Sequence, residues 1–258
     1  MSESLLPAEA LARASDILQR LKSSVAQAFL GQDRVVEEVL SALLGGGHVL
    51  IEGVPGLGKT LLVQALARAS GGRYSRVQFT PDIMPADVTG HTLYDPSNGQ
   101  FTTRKGPVFA NFVLADEVNR APAKTQAALL EVMQEGQVTL DGTAHKLDPP
   151  FMVLATQNPI EQEGTYALPE AQLDRFLLKV VIDYPPENEE LAVLRFATEK
   201  RSAERLNIDR VAQILTPETL SKLQAMAASV RVDAAVESYV LRIVRQSRDF
   251  AGIGSGAS

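Results

Sequence analysis

The chain has 258 residues, of which 45% are apolar and 22% charged, and its formal net charge is -6. These values are typical of one large or two modest globular domains, and the negative charge disfavours a general nucleic-acid binder, which needs clustered lysine and arginine. Cysteine is absent, which excludes a disulfide framework, a thiolate nucleophile and a cysteine-built zinc site, and favours a reducing, cytoplasmic compartment. The three histidines are far apart in the sequence and predict no metal cluster.

The first 20 residues carry acidic side chains where an export signal has basic ones, and their apolar positions have helical spacing. We therefore expect a helix here and no export signal. No apolar run approaches the roughly 18 to 20 residues that cross a bilayer, so the sequence predicts no membrane span.

Five short apolar segments alternate with longer, helix-like segments. Segments that are mostly apolar on both faces are typical of a parallel sheet covered by helices, so the sequence predicts an α/β fold. The predicted strands are residues 48–52, 74–79, 111–115, 151–156 and 177–182. Helices are predicted at 59–70 and at 122–135, and the second begins with proline and ends before Gly136.

Two inserts depart from the plain alternation of strands and helices. Residues 91–106 have a turn-rich centre at 95–99 between β-favouring flanks. Residues 137–147 carry Asp141-Gly142 between alternating apolar residues, which is a strong short-range hairpin signal. Both inserts therefore predict β-hairpins that project from the core.

The sequence changes in character at Pro185-Pro186, beyond which almost everything has a helical pattern. Helices are predicted within 187–200, 216–230 and 233–250. We therefore predict an α/β nucleotide-binding domain over residues 1–184 and a partial helical lid over 185–258.

Residues 53–60, GVPGLGKT, fit the phosphate-binding pattern G-x-x-x-x-G-K-[ST] and follow a predicted strand. The backbone N–H groups of such a loop surround the phosphates of a nucleoside triphosphate, Lys59 adds positive charge, and the Thr60 hydroxyl binds Mg²⁺. The alternative is a glycine turn that only joins strand to helix. The predicted nucleotide-binding residues are Gly53, Val54, Pro55, Gly56, Leu57, Gly58, Lys59, Thr60 and Leu61.

Two adjacent acids, Asp116 and Glu117, end the third apolar segment. There Asp116 can hold Mg²⁺ through water, and Glu117 can orient a water molecule for attack on the γ-phosphate. An isolated acidic pair at a strand end is more commonly a solvated turn. The phosphate-binding loop upstream favours the catalytic interpretation.

Two further polar residues are candidates for catalysis. Asn158 follows the fourth apolar segment and can hold the attacking water or the γ-phosphate if the strands are neighbours. Arg175 lies between a short helix and the fifth segment. It can be a surface residue, a partner of Asp174 or a finger that reaches the nucleotide of a neighbouring subunit. Spacing alone does not choose among these three.

Together these segments resemble the AAA+ ATPases and, more narrowly, the MoxR family. The resemblance rests on the two hairpins and on three segments, and it covers roughly residues 25–258. The segments are GVPGLGKT, FVLADEVNRAPAKTQAALLEVMQEGQVTLDG and FMVLATQNPIEQEGTYALPEAQLDRFL.

The resemblance implies a ring, expected to be hexameric, with ATP and Mg²⁺ bound between subunits. By this resemblance residues 53–60 are the Walker A loop, Asp116 and Glu117 the Walker B pair, Asn158 sensor 1, and Arg175 the arginine finger. The two hairpins are then expected to face the pore or one face of the ring.

The resemblance also implies that Arg120 faces the neighbouring subunit, and that the protein remodels protein clients with partners carrying a von Willebrand factor A domain. Family members continue past a Gly-Ala-Ser segment into a lid helix with a sensor 2 arginine. This sequence stops at residues 256–258, so a shortened lid and weakened hydrolysis are expected.

Three other functions stay open at this stage. The ATPase subunit of a magnesium chelatase shares the hairpin inserts and a von Willebrand factor A partner. A nucleic-acid motor also uses such hairpins, and a scaffold can bind nucleotide only to set its shape. The N-K-x-D segment by which small GTPases recognise guanine does not occur in the sequence, which favours ATP.

Overall fold

The computed structural model describes residues 7–97, 99–158, 166–198 and 208–253. Its centre is a five-stranded parallel sheet with the strand order β2-β5-β8-β1-β9. The strands of this sheet are β1 Val49–Glu52, β2 Tyr74–Gln78, β5 Phe112–Asp116, β8 Met152–Gln157 and β9 Leu178–Val181. The predicted α/β fold with five parallel strands is therefore confirmed, with strand ends that differ by one residue, but only β1, β5 and β8 are largely buried as predicted.

Helices cover both faces of this sheet. They are α1 Ala8–Ala26, α2 Asp33–Leu44, α3 Lys59–Ala69, α4 Pro85–Thr89, α5 Ala123–Glu135, α6 Glu170–Leu173, α7 Glu187–Thr198, α8 Pro217–Ala228 and α9 Ala234–Asp249. Short 3-10 helices span Val118–Arg120 and Ile208–Arg210. Among the described residues, no helix has the length and apolar character needed to span a membrane.

The core has two layers because successive side chains of a strand point to opposite faces. Phe112 and Leu114 of β5 join a cluster built with α1, α2 and α3. Val113 and Ala115 of the same strand join a second cluster that contains the apolar side of α5. The outer strands β2 and β9 are only partly buried, since each has a strand on one side only.

Both predicted hairpins are present. β3 Gly90–Asp95 pairs with β4 Gln100–Lys105, and β6 Gln137–Leu140 pairs with β7 Thr143–Lys146. Asp141 and Gly142 have φ angles of 47° and 77°, the left-handed conformation that a two-residue type I′ turn requires. Lys105 lies 4.9 Å above the ring of Phe109, so the base of the first hairpin is fixed to the core.

The carboxyl-terminal helices differ in how they pack. Leu220 and Leu223 of α8 are buried in the core cluster of α1 to α3, and Gln224 donates to the carbonyl of Leu43 at 2.7 Å. No described residue of α9 is buried. The division at residue 185 stays a prediction, and residues 199–207 and 254–258, which carry parts of the predicted lid, lie outside the described residues.

Candidate active site

The strand order brings three loops to one place. β1 lies beside β8, and β8 lies beside β5, so the carboxyl ends of these three neighbours meet at one edge of the sheet. The glycine loop leaves β1, the acidic pair ends β5, and Asn158 follows β8. The three strands are therefore neighbours, which is the condition that the interpretation of Asn158 required.

The glycine loop joins β1 directly to α3, and two of its glycines need conformations that other residues rarely adopt. Gly58, which caps α3, has φ of 78°, and Gly56 has φ of 88°. A Cβ at Gly53 would lie 2.6 Å from the carbonyl oxygen of Ile182, so the loop is pressed against the end of β9. The loop backbone and the amino end of α3 therefore form one wall of a cleft. Backbone N–H groups at the start of a helix are a common binding site for anions.

Lys59 begins α3 and is half-buried. Its ammonium donates to the carbonyl of Gly53, which folds the side chain back over the loop. Burial lowers the pKa of Lys59, while the negative charges of Asp116 and Glu117 act in the opposite direction. A cation is thus held at the loop, where phosphate oxygens would lie.

Thr156 connects the two acids at the end of β5. Its hydroxyl donates to Asp116 Oδ1 at 2.6 Å and accepts the backbone N–H of Glu117 at 2.9 Å. Thr156 is 1% exposed, so this contact fixes the positions of both acids from inside the sheet. The sequence pattern did not single out Thr156, although its place two residues before Asn158 on a predicted neighbouring strand was a usable signal.

Glu117 has φ of 57° and ψ of 47°, a left-handed conformation that is uncommon for a side chain of this size. The conformation turns the chain sharply out of β5 into the following 3-10 helix. The carboxylate Oε2 accepts from Gln78 at 2.8 Å and from Arg120 at 2.9 Å. Arg120, which the family resemblance directs toward a neighbouring subunit, therefore contacts Glu117 of its own chain here.

Asp116 has a second cationic neighbour. Arg76 Nη2 lies 2.6 Å from Asp116 Oδ2 and 3.1 Å from Gln78 Oε1. Both Arg76 and Gln78 lie on β2, an outer strand without a recognisable motif, and the sequence pattern did not single them out. Their alternation on an exposed strand next to the acidic strand was the only signal available.

A cleft of about 440 Å³ opens between these elements. It brings together the predicted residues Lys59, Thr60, Asp116, Glu117 and Asn158. Pro55, Gly56, Gly58, Leu61, Arg76, Gln78 and Thr156 also line it. Gly53, Val54 and Leu57, which belong to the predicted loop, are not among the lining residues.

The cleft suits a nucleotide with Mg²⁺. Its lining includes Thr60, which carries a hydroxyl beside the loop, and two carboxylates, those of Asp116 and Glu117. No group of three or more metal-ligating side chains occurs among the described residues. Mg²⁺ typically takes one or two protein oxygens and completes its octahedron with water and substrate phosphates, so this sparse donor set fits the ion when it arrives with a nucleotide.

Arg175 lies away from this cleft. It is exposed, and its guanidinium donates to the side chain of Gln134 on α5. It is not among the residues that line the cleft of its own chain. Within the single chain, Arg175 is a surface residue, which was one of the three interpretations. Its role as an arginine finger for a neighbouring subunit stays a prediction.

Comparison with known proteins agrees with this geometry. The sequence model of the ATPase family associated with various cellular activities (AAA) matches residues 48–178, which run from β1 to the start of β9. The chain is 48% identical over 242 residues to Chaperone MoxR1 of Mycobacterium tuberculosis and 33% identical over 232 residues to Protein MoxR of Methylorubrum extorquens. The chain belongs to the MoxR family of AAA+ ATPases.

The similarity to MoxR proteins extends over most of the chain but not over the whole of the relatives. It covers 93% of this chain and 62% of the mycobacterial protein, and 88% of this chain and 67% of the Methylorubrum protein. A solved structure from Cytophaga hutchinsonii, assigned as an ATPase, superposes with a TM-score of 0.82 at 42% identity, over 92% of this chain and 70% of that one. The MoxR-type AAA+ fold is therefore shared along nearly all of the present sequence.

Proposed function

We propose that the protein hydrolyses ATP and uses the reaction to remodel, assemble or activate protein clients. One observation carries the catalytic part of this proposal. The ends of β1, β5 and β8 gather Lys59, Thr60, Asp116, Glu117 and Asn158 in one cleft. This is the set of groups that phosphoryl transfer to water needs: a phosphate cradle, a metal position and a base.

In this proposal, each part of the cleft has one task. The loop at 53–60 and Lys59 bind the phosphates, and bound Mg²⁺ would neutralise charge on the phosphate oxygens. Thr60 and Asp116 would hold that ion. Glu117 accepts the proton of the attacking water, and Asn158 orients that water or the γ-phosphate.

One oxygen of Glu117 is engaged by neighbouring side chains. Its Oε2 accepts hydrogen bonds from Gln78 and Arg120, and both stabilise the carboxylate in its present position. An ionised carboxylate has two acceptor oxygens. In this proposal Oε1 therefore takes the proton of the attacking water, while Gln78 and Arg120 hold the side chain in place.

We further propose that the active site is completed by a second subunit in a hexameric ring. Arg175 is exposed and lies outside its own cleft, which suits an arginine that contributes to the next subunit's nucleotide. The client function is supported by the similarity to a protein named as a chaperone. Partners with a von Willebrand factor A domain, and a cytoplasmic location with access to ATP and Mg²⁺, complete the proposal.

A complementation experiment tests the shared site. Arg175→Ala keeps the base and lacks the finger, whereas Glu117→Gln keeps the finger and lacks the base. Each variant alone is expected to lose roughly a thousandfold in hydrolysis. An equal mixture is expected to recover about a quarter of the wild-type rate, because that share of interfaces pairs an intact base with an intact finger.

The matched control is Gln134→Ala, which removes the partner of Arg175 in its own chain and keeps the arginine. It is expected to hydrolyse ATP at close to the wild-type rate. A mixture of the two inactive variants that stays inactive, with nucleotide still bound, would exclude the shared site. A rate per subunit that does not change with protein concentration would point to the same conclusion.

A further inference from the structure

Arg76 and Asp116 form the closest charge pair in the described part of the cleft. Arg76 Nη2 lies 2.6 Å from Asp116 Oδ2. The Asp116 side chain is 16% exposed, whereas that of Arg76 is 47% exposed. The contact is a charge-assisted hydrogen bond between a mostly buried acid and a half-exposed base.

The two oxygens of Asp116 have different partners. Oδ1 accepts from the hydroxyl of Thr156, which is buried in the sheet, and Oδ2 faces the guanidinium of Arg76. The Thr156 contact uses a neutral donor from inside the protein and is compatible with a metal on the other oxygen. The guanidinium of Arg76 therefore occupies Oδ2, the carboxylate oxygen that a metal ion would need.

We propose that Arg76 is a resident cation that holds the metal position at Asp116 in the metal-free protein and is displaced when Mg²⁺ enters with the nucleotide. This inference rests on the proposed function of the cleft and assigns a role to a residue of β2. Arg76 is therefore a positioning residue, which sets how much Mg²⁺ the site needs.

A carboxylate in this position needs a compensating charge. Taking an ionised carboxylate mostly out of water is costly unless a cation or several hydrogen bonds compensate it. Lys59 donates to Gly53 and acts on Asp116 only through its charge, and the nearby Arg120 donates to Glu117, so neither forms the direct contact with Asp116 that Arg76 makes. Arg76 supplies the charge at Asp116 until a divalent ion can replace it.

Arg76 can also leave without a large penalty. It lies on the outer strand β2, and about half of its side chain is already in solvent. Gln78 Oε1, at 3.1 Å, offers the guanidinium a second acceptor next to the cleft. A long, partly solvated arginine can exchange one acceptor for another or for water at small cost.

If Mg²⁺ takes the place of the Arg76 guanidinium, the two cations compete for Asp116. Mg²⁺ has to replace the Arg76 contact before Asp116 can serve it, so Arg76 raises the metal concentration that the site requires. A phosphate-binding role would give the opposite result, since removal of Arg76 would then weaken the site for the nucleotide and its metal.

The test compares wild type, Arg76→Gln and Arg73→Gln. Arg73 lies just before β2 and pairs with the exposed Asp148 at 2.6 Å, so Arg73→Gln removes one nearby positive charge without touching Asp116. Each protein is kept in excess over ADP, so that no free nucleotide binds metal, and Mn²⁺ is titrated in. The ion that remains free is measured by electron paramagnetic resonance. ADP binding in the presence of a chelator is measured first.

Arg76→Gln is expected to lower the Mn²⁺ concentration at half-saturation by about two- to fivefold, the upper part of the range for loss of one partly exposed ion pair. Arg73→Gln is expected to match wild type. An unchanged or raised half-saturation in Arg76→Gln, with ADP still bound and a cooperative melting curve, overturns the inference and leaves the proposed function standing. Failure of the wild type to bind ADP overturns both.

Discussion

The two ends of the central sheet bury polar side chains in different ways. At the amino ends of the strands, His48 and Asn111 bond to backbone groups. At the carboxyl ends, Asp116 and Glu117 bond mainly to other side chains. Backbone partners are fixed by the fold, whereas side-chain partners can rotate away. The comparison indicates that the amino end maintains the structure and that the carboxyl end can rearrange around a ligand.

The largest effect is expected from Glu117→Gln at the carboxyl end. The amide keeps the size of the side chain but is a far weaker base. We expect hydrolysis of ATP to fall by about 10²- to 10⁴-fold while nucleotide binding survives, measured as phosphate release and as binding of a fluorescent ATP analogue. Glu135→Gln, on the exposed end of α5, is the matched control and should behave as wild type. A Glu117→Gln protein with wild-type turnover would mean that another group is the base.

At the amino end of the sheet, we expect a substitution to change the free energy of unfolding. The Asn111 amide accepts the N–H of Arg73 at 2.9 Å and donates to the carbonyls of Asp148 and Pro150 at 3.2 and 3.0 Å. Asn111→Ala removes the side-chain partner of these three backbone groups, of which the contact to Pro150 is buried and the other two are partly buried, and should lower the free energy of unfolding by about 2 to 4 kcal/mol, measured in urea.

The exposed Thr103→Ala on β4 serves as the control for Asn111→Ala and should change the free energy of unfolding by less than about 0.5 kcal/mol. The folded fraction of Asn111→Ala should still hydrolyse ATP at the wild-type rate per molecule. Lost turnover in a fully folded Asn111→Ala protein would show that the two ends of the sheet are not separate in function.

Thr156→Val tests whether the carboxyl end is organised from inside the sheet. Valine fills nearly the same space but removes the hydroxyl that joins Asp116 Oδ1 to the N–H of Glu117. We expect hydrolysis to fall by roughly tenfold, because the base and the metal ligand lose a common anchor. Thr156→Ser keeps the hydroxyl and should retain most of the activity. If serine and valine are equally impaired, the methyl group and not the hydroxyl is what matters.

Most of the fold could be predicted from the sequence for a physical reason. The central strands β1, β5 and β8 are buried on both faces, so they appear as uninterrupted apolar runs, and the polar residues that follow them stand out. Lys59, Asp116 and Glu117 could be identified in this way. The hairpin at 137–147 could be identified because Asp141-Gly142 suits only a few turn conformations.

The missed residues lie where this signal fails. Arg76 and Gln78 lie on an outer strand, where exposed polar residues are common and have no specific meaning. Thr156 lies inside an apolar run and is as compatible with a strand interior as valine is. The role of Arg175 could not be chosen because the spacing of residues within one chain carries no information about contacts with another subunit.

The smallest effect is expected at His48 and appears only on the acid side. The imidazole is 8% exposed, accepts the N–H of Val153 on Nδ1 at 3.0 Å and therefore carries its proton on Nε2, 3.1 Å from the carbonyl of Met133. Burial lowers the pKa of His48 below its usual range, and the bond to Met133 only partly opposes this.

As the pH falls through about 6.5, the unfolded chain takes up a proton on His48 while the folded chain does not, so the free energy of unfolding decreases. His48→Gln can still donate to Met133 but does not titrate. Its free energy of unfolding should therefore fall less than that of wild type as the pH is lowered. The measurement is urea unfolding at several pH values between 7 and 5, with His91→Gln on β3 as the control. If the pH dependence of His48→Gln matches that of wild type, other groups cause it. If the free energy of unfolding depends less on pH in His48→Gln, but not in His91→Gln, an uncharged His48 stabilises the amino end of the sheet. The carboxyl end, in contrast, is built from charged side chains.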